Sequence, residues 1–289
     1  MTQPIKLIAV DLDGTLLNSK HQMSKRNEKA LKAAIAKGVQ VIIATAKTRT
    51  SASDIVKRLE LTTQGIYLHG LAIYNADGSL AYQKTLEPAI ARQVLTFAED
   101  RGFYVIAYSG TRILVRSSNS RFEQYIKEYN EALPEIIGPI QNILGDMPIN
   151  KLLITRFDEA KRVKALRWQL SMQLDDQANV TGSIRDDMLE VMPPNISKSV
   201  TLAALIKQAE IKAENVMAIG DGGNDIDMIE MAGIGVAMGN ARQALKDKAD
   251  HIVADNDHDG VAEAVEKFVL ASSNVPTEVT QTNGDKAQT

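Results

Sequence analysis

Two apolar segments far apart in the chain, Leu7-Ile8-Ala9-Val10 and Val216-Met217-Ala218-Ile219, each run straight into an acidic loop bearing glycine. The first continues as Asp11-Leu12-Asp13-Gly14-Thr15-Leu16 and the second as Gly220-Asp221-Gly222-Gly223-Asn224-Asp225. Side chains of a strand alternate between faces, so Asp11 and Asp13 point together, while Gly14 and Thr15 permit a tight turn with backbone N–H groups facing an anion. Taken alone, the first run is equally an acidic strand end closed by a turn, and the second an acidic helix cap at Asn224 or Asp225. Their repetition constrains the fold. In an open parallel sheet, ligands bind beyond the carboxyl ends of the strands, so two such endings can meet in one crevice.

The rest of the chain supports that architecture. Apolar runs alternate with amphipathic segments, the pattern of βαβ units around a parallel sheet, and the fold class is α/β. A helix is expected from Ser24, with Ala30, Leu31, Ala34 and Ile35 as its stripe and Gly38 beyond its end. Strands at 39–44 and 65–68, a helix at 51–60, and a hairpin turn at Asn75-Ala76-Asp77-Gly78 follow. Pro88 opens a helix carrying Ile90, Val94, Phe97 and Ala98. Residues 86–190 form a separate unit, with strands at 104–109, 112–117 and 151–155 and helices at 120–131 and 159–172. Val163, Leu166 and Leu170 are core, and Trp168 is expected to pack beside them. Met192-Pro193-Pro194 marks a stiff return to the first unit. The expected division is thus a catalytic core of 1–85 and 191–271, an inserted unit of 86–190, and a polar disordered tail of 272–289.

Composition narrows the partners. The formal charge of −3 over 289 residues offers no basic field to nucleic acid or anionic lipid, and no apolar run reaches the ~18 residues of a membrane span. The absence of cysteine excludes disulfides and thiolate chemistry, and the four histidines show no ligand spacing. Without a signal-peptide pattern at Met1-Thr2-Gln3-Pro4, a soluble cytoplasmic protein with neither nucleic-acid nor membrane partner is the expectation.

Convergence of the two loops brings Asp11, Asp13 and Asp221 together, an all-oxygen set suited to a hard cation such as Mg²⁺. Asn195-Ile196-Ser197-Lys198 opens a helix bearing Val200, Ala203, Ala204 and Ile206, which puts Lys198 at a helix start near the sheet. A lysine there can bind phosphate as a point charge, although alone it reads as a solvated surface residue. Thr45, following strand residues 41–44, offers a hydroxyl and a backbone N–H.

Together, these four segments resemble the haloacid dehalogenase superfamily of phosphohydrolases, in its Cof-type branch with a type IIB α/β cap between the second and third motifs. The resemblance spans roughly residues 5–270 and includes Asp257-His258-Asp259-Gly260-Val261-Ala262 as a closing turn and helix. It implies a Rossmann-like core under a cap that sets specificity. By the same resemblance, Asp11 is the nucleophile and Asp13 the acid/base. Lys198, Thr45, Ala46, Lys47, Asn224 and the Leu12 backbone bind phosphate or substrate. Mg²⁺ is held by Asp11, Asp221 and the Asp13 main-chain oxygen, with Asp225 supporting the metal shell or orienting Lys198. The implied function is Mg²⁺-dependent hydrolysis of a small phosphorylated metabolite (a sugar phosphate, nucleotide or cofactor phosphate) through an aspartyl-phosphate. A phosphomutase and a non-catalytic phosphate-binding protein are the alternatives. Arg185 and Arg112 are candidate cap contacts to substrate. Two departures stand out: Thr45-Ala46-Lys47 where the family has Thr-Gly-Arg, and His69-Gly70 where relatives have Asn-Gly. His69 is expected to be a satisfied structural residue, with a substrate-facing role as the alternative.

Overall fold

The computed structural model describes residues 4–271, so the expected tail lies outside the described residues. Its first sheet is five-stranded and parallel, built from β1 (Leu7–Val10), β2 (Gln40–Ile43), β12 (Val216–Gly220), β13 (Ile234–Ala237) and β14 (His251–Ile252) in the order β14-β13-β12-β1-β2. Strand β1 alternates its apolar residues between two cores. Ile8 and Val10 pack toward α1 (Lys25–Ala36) and α9 (Gly260–Val265), and Leu7 and Ala9 pack toward α6 (Lys198–Gln208) and α7 (Ile226–Met231). Helix α1 starts where the sequence indicates, because the Ser24 side chain accepts a hydrogen bond from the Asn27 N–H. In register, Val10 lies opposite both Ile219 and Ile43, so β1, β12 and β2 end level. That register brings Asp11 to the carboxyl edge level with Gly220 and Ala44, with Asp221 and Thr45 each one residue beyond.

After α2 (Ser53–Arg58), a small antiparallel sheet of β3 (Gly65–Tyr67), β4 (Ala72–Tyr74) and β5 (Leu80–Gln83) flanks this edge. The inserted unit then begins at α3 (Pro88–Glu99). Its sheet comprises β6 (Tyr104–Ser109), β7 (Arg112–Val115), β8 (Glu135–Ile136), β9 (Lys151–Thr155), β10 (Asn179–Gly182) and β11 (Met188–Met192), ordered β10-β11-β9-β6-β7-β8. One face, including Val105, Ala107, Leu152 and Ile154, is covered by α3 and α5 (Ala160–Leu174). The other presents Ile106, Leu153, Met188 and Met192 toward the first unit, joined by Phe122 and Tyr125 of α4 (Ser120–Glu128). Helix α8 (Gln243–Lys246) completes the set.

Three expectations need correction. Trp168 is 67% exposed, because α5 buries Val163, Leu166, Leu170 and Leu174 and turns position 168 outward. In the second sheet β11, paired on both sides, runs through Met192, two residues past 190, and stops at the Pro193-Pro194 pair. Strands β10 and β11 lie where the sequence pattern offers no strand: β10 is a short, mostly polar and partly exposed segment, and in β11 Glu190 interrupts an otherwise apolar run that is nonetheless wholly buried. Among the described residues no helix is long and apolar enough to cross a membrane.

Candidate active site

The turn after β1 is closed by backbone bonds from Thr15 N to Leu12 O (3.2 Å) and Leu16 N to Asp11 O (3.3 Å). Gly14, at φ 77°, is required twice over: its backbone is left-handed, and a methyl group there would collide with the Asp221 carboxylate. Thr15 Oγ1 donates to Asp221 Oδ1 at 2.7 Å, linking the two loops. Lys198, capped at its helix start by Ser197, extends its Nζ to 2.7 Å from Asp11 Oδ1 and 2.7 Å from Asp225 Oδ1. It is fully buried, correcting its reading in isolation as a solvated lysine.

Asp225 has both oxygens engaged. Oδ1 accepts from Lys198, and Oδ2 accepts from the backbone N–H groups of Asp221 (3.2 Å) and Gly222 (2.9 Å). Of its two expected roles, this geometry serves the orientation of Lys198. Even so, Asp11, Asp221 and Asp225 each offer an oxygen within 4.8 Å of one another. Burial raises Asp11 well above the ordinary carboxyl range against the pull of Lys198, and burial with Asp225 nearby pushes Asp221 up to about 6. Burial alone would lower Lys198, but the Asp11 and Asp225 charges overcome it and raise the ammonium above its usual value. Crowded buried carboxylates of this kind are relieved by a hard divalent cation, and the all-oxygen donors fit one.

Asp13 is held at both oxygens, with His21 Nδ1 3.1 Å from Oδ1 and Lys47 Nζ 3.4 Å from Oδ2. The second motif differs from expectation in two ways. The Thr45 N–H is spent on Ile66 O at 2.9 Å, leaving the hydroxyl as the group for an anion; that hydroxyl accepts from Lys47 N at 3.1 Å. Lys47 is 3% exposed, bonds to Tyr129 O and lies 3.5 Å from Glu131 Oε1, so it ties the first unit to the inserted one. Ala46, Asn224 and Arg185 line the same cleft of about 650 Å³, and the Leu12 side chain is buried beneath it. Arg185 is held by Asp187 at 2.9 and 3.0 Å. Arg112 pairs with Glu135 on the outer surface at 2.6 Å and does not line the cleft.

Sequence reasoning missed Lys151 and Glu190, which face the cleft from β9 and β11 with Nζ and Oε1 2.9 Å apart. A charged residue inside an apolar strand was the available signal, because such a charge is buried only with a partner. Burial alone would raise the Glu190 carboxyl, but His69 and Lys151 outweigh it and hold it well below the ordinary range. Burial holds His69 below its own usual value, so Lys151 is the charge that persists at neutral pH. The folded state therefore binds the Glu190 proton less readily than the unfolded chain. Its stabilisation is present above the ordinary glutamate value of 4.5 and is lost as pH falls through and below it. Thermal melting from about pH 5 to pH 3 should therefore show a steeper loss of Tm in the wild type than in Glu190→Gln. Equal slopes would contradict the assignment.

The chain belongs to the haloacid dehalogenase-like hydrolase family, whose model matches residues 8–265. It is 35% identical over 273 residues to the chloroplastic endoribonuclease YBEY of Arabidopsis thaliana, covering 91% of this chain but 46% of that protein. The chain thus spans less than half the length of that relative. The 5-amino-6-(5-phospho-D-ribitylamino)uracil phosphatase YcsE of Bacillus subtilis is 31% identical, with 92% of this chain and 96% of that protein covered. Among solved structures, a haloacid dehalogenase-like hydrolase from Bacteroides thetaiotaomicron superimposes with a TM-score of 0.83 at 30% identity, covering 91% and 99% of the two chains.

Proposed function

We propose that this chain is a Mg²⁺-dependent phosphatase that hydrolyses a small phosphorylated metabolite through a phosphoryl group carried on Asp11. The observation that carries this reading is Lys198, buried between Asp11 and Asp225 with Asp221 beside them at the mouth of one cleft. Substrate size follows from the cleft of about 650 Å³, walled by both units, and a small phosphate ester is also what YcsE is named for.

Asp11 has one oxygen fixed by Lys198 and the other without a protein partner among the described residues. That second oxygen attacks phosphorus, the bond from phosphorus to the ester oxygen breaks, and Asp13 gives a proton to the departing alkoxide. Asp13 then takes a proton from water as it attacks phosphorus, and the bond between Asp11 and phosphorus breaks to release inorganic phosphate. Lys198 and the Thr45 hydroxyl stabilise charge on the non-bridging oxygens, and the inserted unit excludes bulk water. Asp11, Asp221 and the Asp13 main-chain oxygen would hold Mg²⁺, which when bound would supply the charge neutralisation that lets a carboxylate approach a phosphate.

Release of p-nitrophenol from its phosphate ester tests this reading. Turnover should fall by at least about 100-fold on chelation with EDTA and return with Mg²⁺, since metal neutralisation contributes several kcal/mol to such barriers. Undiminished turnover in EDTA would contradict the cation. Phosphate binding without turnover of any ester would favour the non-catalytic alternative.

A further inference from the structure

The departure at His69 has a physical setting of its own. Leu68, His69 and Gly70 are all left-handed, with φ of 51°, 61° and 100°. Two consecutive non-glycine residues in that region persist only where the surroundings over-determine them, and they cluster at functional sites. Here Leu68 N donates to Lys47 O and His69 N to Thr45 O, both at 3.1 Å, and Thr201 Oγ1 donates to Gly70 O at 2.9 Å. The strained turn is thus strapped to the second motif and to α6, and it aims the His69 ring into the cleft.

The ring touches both units. Nε2 lies 2.8 Å from Glu190 Oε2 of the inserted unit, a short approach not aligned as a hydrogen bond, and both atoms are buried. On the other side, Nδ1 lies 3.4 Å from Asn224 Nδ2 in the Gly220–Asp225 loop. A carboxylate offers no proton at this distance, so Nε2 carries the ring proton. Burial, helped by the Lys151 and Lys198 charges, outweighs the opposing pull of the Glu190 carboxylate and disfavours a second proton, which leaves Nδ1 as an acceptor. The Asn224 amide therefore presents its NH₂ to the ring, consistent with its Oδ1 turning toward Gly222, where a methyl group would collide with it. One N–H goes to His69, and the second is left for the cleft.

We infer that His69 is a positioning residue: its Nε2–H tautomer, anchored on Glu190, fixes the Asn224 amide for the substrate phosphoryl group, so that seating of the inserted unit is registered in the phosphate-binding loop. This rests on the phosphatase reading above, in which Asn224 contacts phosphate. Asparagine, the residue that the family resemblance implies at this position, makes a discriminating variant. Asparagine tolerates the left-handed backbone, so His69→Asn keeps the turn, but its shorter side chain cannot span from Glu190 to Asn224.

The test is competitive inhibition by inorganic phosphate, measured for the wild type, His69→Asn, Asn224→Ala and the double variant. His69→Asn should weaken phosphate about five-fold, the worth of one hydrogen bond, and change it by less than about two-fold when Asn224 is already alanine. Equal factors in both backgrounds, or no change in the first, would overturn the inference. In ¹⁵N-histidine-labelled protein at neutral pH, the ring signal missing from His69→Asn should show a protonated Nε2 and a bare Nδ1. A protonated Nδ1 would overturn it as well. Wild-type protein that neither turns over an aryl phosphate nor binds inorganic phosphate would contradict the phosphatase reading instead, and the spectrum would then decide the tautomer on its own.

Discussion

Replacing Lys198 with methionine is expected to lower folding stability by about 3–5 kcal/mol and to reduce turnover by at least about 10³-fold. The stability loss arises because Lys198 is fully buried, with an ammonium 2.7 Å from each of two carboxylates that are themselves buried. Methionine fills the volume but leaves Asp11 and Asp225 facing each other without a cation, and breaking one side of a buried ion pair is far costlier than deleting the whole pair. For a chain of this size the loss should appear as roughly a 10 °C drop in Tm. The catalytic loss has two sources: the Asp11 carboxylate is no longer held in one plane, and the phosphoryl oxygens lose a fixed positive charge in a site where little water can replace it. Added Mg²⁺ should recover part of the stability and none of the lost lysine contacts. A Tm within 2 °C of the wild type, by calorimetry at about 1 °C precision, would contradict this account of the buried cluster.

Asp11→Asn should behave in the opposite manner, with an intact fold and no chemistry. The amide is isosteric, Lys198 keeps Asp225 as its partner, and one of the crowded buried carboxylates is removed. Melting should therefore stay within a few degrees of the wild type. Turnover should fall by at least about 10⁴-fold, because an uncharged amide cannot attack phosphorus and loss of a nucleophile removes the covalent route entirely. The contrast between the two variants matters more than either alone. It separates a residue whose charge holds the site together from one whose electrons perform the reaction.

What could be read from the chain was whatever lay along one strand and its loop. Asp11, Asp13 and Asp221 follow apolar strands directly, and parallel-sheet geometry does the rest: the level register of Val10 with Ile219 and Ile43 is the structural form of that expectation. Ser24 and Pro88 marked helix starts because capping is local chemistry. Features decided by partners remote in sequence stayed hidden. Thr45 spends its N–H on Ile66, and Lys47 spends its charge on Tyr129, Glu131 and Asp13, connections that no local pattern encodes. Lys198 has the composition of a surface lysine, and only the arrival of Asp11 and Asp225 from either side explains its burial. Glu190 concealed a strand for the same reason, since its partners Lys151 and His69 come from a neighbouring strand and from the other unit.

The covalent role of Asp11 is the central claim, and trapping the intermediate tests it most directly. Wild-type protein mixed with a ³²P-labelled phosphate ester and Mg²⁺, then quenched in acid within milliseconds, should retain acid-stable, hydroxylamine-labile label. Proteolysis should place that label on the peptide containing Asp11, and Asp11→Asn should retain none. Turnover with no label on the protein at any quench time, or label on a peptide lacking Asp11, would contradict the mechanism.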